Sequence, residues 1–541
     1  MSPTAVVTLT AVVVVVLGVS VATRPRHSST VDFYLAGQRV GVLTNSWAIC
    51  GDYLSAASFL GVAAAVYVSG LDGAWYAVGF AAGFVPVLLF VAAPLRRFGE
   101  FSLADFLGRR LESDRVRLGA VSVVQLVILC YLIPQSVGGG ITWELLVGHG
   151  LFGLSPYATG VLLSTAVIAV VVAFGGMRGT TWNQAVQFLL LFAALLWLAV
   201  MVTADGFQFG DVAPLHREQA PDGPAVAGGP GVREGRIGQV ALVVTLALGT
   251  AGLPHVMNRY FTSPTGRAAR TTTVWVLMLV GAFYSMAVLL GTAARDVIPG
   301  AVAEHPWLEA LTDEGVLVVP EHALPVLGRI YGDETGLGLV AAAALIAAMS
   351  TVAGLLLASA ATWGNDVYER YVNPRATQRQ AVRAGRVTTL LGAALAAGLA
   401  VLMRPDGFTP AAPSLVATMV TWAFAVAGSA LTPVVVLSIW WRGMTAAAAT
   451  AGMATGGALA MVMFVSAEFM APSPLRDLMS APTLVAAPVA IVVIMAVSRR
   501  TARPPGTDAA WLTMHGTAAD RQAERLARIM VDRRRRPGGR D

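Results

Sequence analysis

Lysine is missing from the chain altogether, so all 37 basic residues are arginines. Acids are sparse too, and charged residues make up 13% of the 541. An ordinary soluble domain carries about twice that fraction, which excludes a large soluble globule. Cysteine occurs twice, as Cys50 and Cys130, each within an apolar segment, so no disulfide framework organises the fold. The formal net charge of +6 is spread through the loops between apolar runs rather than gathered in a patch. That distribution speaks against a nucleic-acid partner.

What fills the chain instead is apolar: 56% hydrophobic residues and a mean hydropathy of +0.68. Continuous apolar runs of roughly 18 to 28 residues recur from end to end, the pattern of membrane-spanning helices. A β-barrel would alternate apolar and polar residues, and these runs do not. The sequence therefore reads as an all-α polytopic membrane protein of about 13 transmembrane helices. They fall roughly at 4–22, 42–69, 74–94, 118–147, 155–174, 182–203, 238–258, 271–294, 337–362, 387–403, 412–441, 445–467 and 482–498.

The N-terminal run lacks a basic leading region, and Arg24 and Arg26 follow it, so it reads as a retained first span rather than a signal peptide. An outside N-terminus places about 30 arginines on the inner face and about 7 on the outer. The C-terminus is then cytoplasmic, as are the loops RRFGEFSLADFLGRRLESDRVR and NDVYERYVNPRATQRQAVRAGR. Two outer connections are long, 204–236 and 295–336, the second with a short helix. The tail sequence DRQAERLARIMVDRRRR has a helical pattern suited to resting on anionic lipid, or to staying solvated. Four segments result: 1–30 with the first span, a core over 31–441, two peripheral helices over 442–498, and a basic tail over 499–541.

Two spans carry interruptions. The second is broken at CGDYLS, and the seventh, five spans later, at LGTAGLPHV, where Gly249, Gly252 and Pro254 weaken the helix. Broken helices at matching positions in two halves point to the binding site of a secondary transporter. Spans two to six and seven to eleven would form a five-plus-five inverted repeat with two discontinuous helices.

Unwound backbone near Gly51 and Leu54 would offer carbonyl oxygens suited to a hard cation such as Na⁺. Asp52 lies in the middle of its span, and two roles are open to it: neutralising a cation, or capping the half-helix that begins at Tyr53. In the ninth span, Ser350 and Thr351 are adjacent hydroxyls among alanines, which either complete a cation site or bond back to their own helix.

The segments DFYLAGQ, GDYLSAASFLGVAAAVYVSGLDGAWYAVGF, FSLADFLGRRL, YLIPQSVGGG, FGGMRGTTWNQAVQ, LGTAGLPHVMNRYFT and MSTVAGLLLASAATWGNDVY run in order from about Val31 to Trp441. Together they resemble the sodium:solute symporter family, and within it the permeases for acetate and other monocarboxylates. The resemblance implies Na⁺ held by backbone oxygens of Gly51, Leu54 and Ala347 and by the hydroxyls of Ser350 and Thr351. Asp52 joins the cation-binding set. Gln184 stands where many relatives have an aspartate, and Ala57 and Ser58 stand where sugar-transporting relatives carry a polar pair.

Polar side chains near the breaks are substrate candidates: Tyr53, Ser55, Ser58, Gln135, Thr250 and His255. Gln135 could equally bond helix to helix, and His255, with Asn258, could serve as a gate. Arg259 reads as a cytoplasmic anchor, leaving no arginine within the membrane to meet a carboxylate. Tyr67, Trp75 and Tyr76 border the outer turn SGLDGAW as interface anchors.

The expected function is import of acetate, propionate or pyruvate coupled to Na⁺, with H⁺ coupling open and no organic cofactor. The alternative keeps the fold and changes the cargo to an amino acid or other small solute. An enzyme of lipid chemistry would need clustered acids for Mg²⁺, which the spans lack. Expected surroundings are a cell membrane and its lipids, and a small membrane partner protein is left open.

Overall fold

The computed structural model describes residues 30–99, 101–208, 236–403, 415–471 and 473–517, with scattered positions before residue 24. Most of the expected first span, most of the 204–236 connection and the basic tail sequence from Asp520 lie outside the described residues.

The rest is helical apart from a two-stranded hairpin, which pairs Thr312 with Leu317. It adjoins the short helix Pro306–Glu309, where a helix was expected in the second outer connection. The elements that build the core are α1 (Val42–Tyr53), α2 (Val62–Ser69), α3 (Asp114–Val147), α4 (Pro156–Ala204), α5 (Arg236–Gly252) and α6 (Pro254–Phe261). After them come α7 (Gly266–Ala301), α8 (Ala323–Ala361), α9 (Gln378–Leu402), α10 (Leu415–Val426), α11 (Ala446–Glu468) and α12 (Thr483–Ser498). Hydroxyl residues placed just before the first turn start several of them. Ser113, Ser155 and Thr265 accept from backbone N–H groups of α3, α4 and α7. Thr377 and Gln380 form a reciprocal capping box on α9.

Among the described residues, eight helices are long and apolar enough to cross a bilayer, or up to ten if each bent pair is one span. The expected thirteen is therefore not reproduced. The expected spans at 155–174 and 182–203 form one helical run, α4, bent where Gly176 adopts φ 57° and ψ −163°. The second and third expected spans remain separate elements, since α2 ends at Ser69 and Gly70 (φ 59°, ψ −141°) turns the chain into the helix that begins at Ala74. The 4–22 span cannot enter the count.

Both expected interruptions are present. α1 ends at Tyr53, Leu54 turns away with φ −78° and ψ 82°, and a π-helical turn over Ala57–Gly61 leads into α2. In the other half, Leu253 is extended and Pro254, which has no N–H to leave unsatisfied, starts α6 at 41° to α5. Asp52 thus closes the last turn of α1 and does not begin the next half-helix. The capping role considered from the sequence is overturned, because the chain leaves helical geometry two residues later than expected.

α8 is the central element, and 94% of the most apolar window in its span is buried. It packs against α4, α3, α9, α7 and α1. Its alanine-rich sequence makes this possible, since small side chains let five neighbours approach one axis. At one end of the bundle, Arg117 bonds Asp105 and Asp366 at 2.8 Å each, and Ser102 donates to Asp366. The same end carries the helix Thr507–His515, where Arg97 donates to the Met514 carbonyl at 2.8 Å and the Arg442 guanidinium lies 4.7 Å from the Trp511 ring centre.

Candidate functional site

The two breaks face each other. The Tyr53 hydroxyl at the end of α1 lies 2.9 Å from Thr250 Oγ1 in the last turn of α5. At the other ends of α1 and α6, Asn45 Nδ2 donates to the Arg259 carbonyl at 3.2 Å. α1 and the α5–α6 pair are therefore stitched together on both sides of the unwound positions.

Beside this seam runs α8. Ser350 Oγ donates to the Gly51 carbonyl at 2.5 Å and to Ala347 at 2.9 Å. Thr351 Oγ1 donates to the main-chain oxygen of Asp52 at 2.8 Å and lies 3.4 Å from the Ala347 oxygen. Four of the expected cation ligands, Gly51, Ala347, Ser350 and Thr351, thus form one linked oxygen cluster across α1 and α8. Leu54, the fifth, sits at the break, where its N–H bonds the Cys50 carbonyl at 2.8 Å. The donor set is neutral and all oxygen, and it lies between two helices that share no covalent connection nearby. It fits a hard monovalent cation and offers nothing to a thiophilic metal.

Asp52 does not point its carboxylate into that cluster. Its Oδ2 accepts from Arg259 Nε at 3.2 Å, and the two side chains are 0% and 1% exposed. Arg259 also donates to Thr181 Oγ1 at 2.7 Å and to Gln184 Oε1, and its Nη1 lies 3.1 Å from Met177 Sδ. The surface-anchor reading of Arg259 is overturned, because its side chain is buried within the helix bundle. Hydropathy assigns an arginine at a span end to the loop, but the bend at Leu253 sets α6 against α1, which brings Arg259 to Asp52. Gln184 completes the arrangement, with Oε1 on Arg259 and Nε2 donating to the Ser350 carbonyl at 2.6 Å. The residue flagged as a departure is thus the bridge between the ion pair and the oxygen cluster.

Two glycines make the geometry possible. A Cβ on Gly51 would fall 2.3 Å from the Gln184 carbonyl oxygen, and one on Gly354 would fall 1.8 Å from Asp52 Oδ1. α1 meets α4 through the first and α8 through the second.

The substrate candidates divide into two groups. Tyr53, Thr250 and Ser58 are already bonded. The Tyr53 hydroxyl donates to Phe80 O at 2.8 Å, Thr250 to Leu246 O at 2.9 Å, and Ser58 pairs with the Tyr284 hydroxyl at 2.7 Å. Ser55 is fully buried just past the break. Gln135 and His255 have polar atoms to spare. Gln135 Oε1 accepts from the Ala56 N–H at 3.0 Å, while its Nε2 has no partner, and neither ring nitrogen of His255 has one. Unpaired buried polar atoms are costly and call for an explanation, and a ligand is one. His255 is the second residue of α6, its ring 5.3 Å from Tyr131, so it lies next to the break. Tyr131, which touches His255, and Phe424, its ring 5.7 Å from that of Tyr131, also lie beside the break and were missed. Both sit in apolar runs, where an aromatic residue reads as packing.

Two broken helices that meet at their breaks, with an oxygen cluster on one flank and unpaired polar groups at the gap, form the kind of site that secondary transporters use. Residues 33–456 match the model of the sodium:solute symporter family, and the chain belongs to that family. Among solved structures, it is similar to a Na⁺-coupled sialic acid symporter in a substrate-bound outward-open state, with a TM-score of 0.71 and 16% identity. That match covers 92% of this chain and 98% of the other. It is also similar to a nucleobase-cation-symport-1 family transporter in a closed conformation with bromovinylhydantoin bound. There the TM-score is 0.52 and the identity 13%, over 91% of this chain and 98% of that one. At these identities the likeness is one of fold.

Proposed function

We propose that the protein imports a short monocarboxylate, such as acetate, propionate or pyruvate, together with Na⁺ by alternating access across a cell membrane. The N-terminus is outside and the C-terminus cytoplasmic, in keeping with the arginine distribution. The observation that carries the reading is the oxygen cluster of Gly51, Ala347, Ser350 and Thr351 directly beside unpaired polar atoms at the breaks. Na⁺ would sit among those oxygens with Leu54, while Gln135 Nε2 and His255 would donate to the carboxylate. Ser55, on the first turn after the break, would add a hydroxyl near a helix start. Tyr53 and Tyr131 both pack edge-on against Phe424 beside the breaks, and this aromatic lining favours a cargo of few atoms over a sugar. Asp52 serves by holding Arg259 beside the cation ligands.

Purified protein in proteoliposomes should accumulate radiolabelled acetate when an inward Na⁺ gradient is imposed. Unlabelled propionate or pyruvate should compete. Uptake driven by a proton gradient alone would reject Na⁺ as the coupling ion, and alanine or proline outcompeting acetate would reject the cargo.

A further inference from the structure

Away from the breaks, α3, α8 and α9 enclose a groove on the flank of the bundle. Its upper part, about 380 Å³, is walled by Ile128 and Leu132 of α3 and by Leu391 and Leu395 of α9. Its lower part, about 530 Å³, shares Trp363 and Thr388 with the upper and ends at Gln380 and Arg383. Three features argue for a ligand. Leu391 and Leu395 are 66% and 54% exposed, so the groove opens to the surroundings of the bundle. Gln125 lines its apolar part, taking a 2.9 Å bond from Ser359 on Oε1 while its buried Nε2 has no partner. Arg383 is exposed at the polar end and makes no ion pair among the described residues.

The dimensions select the occupant. From Arg383 to Leu395, α9 rises about twelve residues, roughly 18 Å at the α-helical repeat. One leaflet of a bilayer has a hydrocarbon half-thickness of about 15 Å. The groove is thus as long as a single acyl chain and carries a guanidinium where a headgroup would lie, at the end bearing the arginine-rich 363–386 segment. Arginine binds phosphate through paired N–H donors.

We propose that this groove is a binding site for an anionic phospholipid, with one acyl chain between α3 and α9 and the phosphate on Arg383. The proposal is independent of which solute the protein carries.

Native mass spectrometry of the full chain, with phosphatidylglycerol or phosphatidylcholine titrated in equal steps, tests it. Wild type should retain one phosphatidylglycerol at least fivefold more readily than phosphatidylcholine. Arg383→Gln should abolish that preference. Gly392→Phe, whose Cβ would meet Leu356 Cδ2 at an ordinary 3.7 Å and whose ring would fill the groove, should reduce retention of both lipids. Equal retention of the two by wild type would overturn the proposal, as would an undiminished preference in Arg383→Gln. Preferential retention of a free fatty acid would also overturn it, since the headgroup contact would then be dispensable.

Discussion

Asp52 and Arg259 answer the question of what makes a buried acid tolerable in this chain. Each is shut off from solvent and each is the other's charge partner. Removing one member of such a pair leaves an uncompensated charge, typically at a cost of about 3–5 kcal/mol. Asp52→Asn is therefore expected to lower thermal stability in detergent and to abolish uptake, although asparagine is nearly isosteric. The double variant Asp52→Asn with Arg259→Gln should regain most of the stability. Wild-type melting of the single variant would refute the pairing argument. For the oxygen cluster the expectation is different. Replacing Ser350 and Thr351 together by alanine removes two donors from neutral carbonyls and leaves the ion pair intact. The protein should fold, and the Na⁺ concentration for half-maximal uptake should rise roughly tenfold, equivalent to about 1.4 kcal/mol. An unchanged sodium dependence in proteoliposomes would remove these hydroxyls from the cation site.

Helices here meet by backbone approach more than by interlocking side chains, and Gly51 is the sharpest case. Gly51→Ala would place a methyl 2.3 Å from the Gln184 carbonyl, so α1 must shift away from α4. The usual helix-propensity gain of about 1 kcal/mol for Gly to Ala should be outweighed, and the melting temperature should fall; a rise would mean that the contact is loose. At the end near Ser102, Arg117 ties two acids from separate elements. Arg117→Ala should destabilise by a few kcal/mol, measurable as a lower melting temperature, and its failure to do so would show that the two acids find other partners. How far the elements could be read from sequence follows the same division. Both breaks were visible, because glycine and proline interrupt an apolar run in ways that local chemistry dictates. The span count was legible only in part: the runs 155–174 and 182–203 were read separately, and the structure joins them in one element through the kink at Gly176. The Arg259 contact was invisible. It joins residues 207 positions apart, and only the fold determines which arginine near a span end turns inward.

For the molecule as a whole, the family resemblance was legible across most of the core because its motifs run in order from Asp32 to Tyr368 and include both breaks and α8. The unpaired atoms of Gln135 and His255 could be seen only once neighbouring helices had failed to satisfy them. The Asp52–Arg259 pair also has a consequence for energetics. Its charges cancel and stay with the protein, so a cycle carrying one Na⁺ and one monoanion transfers no net charge. Membrane voltage, worth about 2.3 kcal/mol per charge at 100 mV, then does no work on the cargo. A tenfold sodium gradient alone supports roughly tenfold accumulation. Clamping proteoliposomes at different potentials with valinomycin should leave the plateau of acetate uptake unchanged. A plateau that climbs with inside-negative voltage would mean that a second cation travels. With one Na⁺ per monoanion, a cell relying on this protein would sustain steep inward flux by consuming the acid as it arrives, because the voltage gives no help.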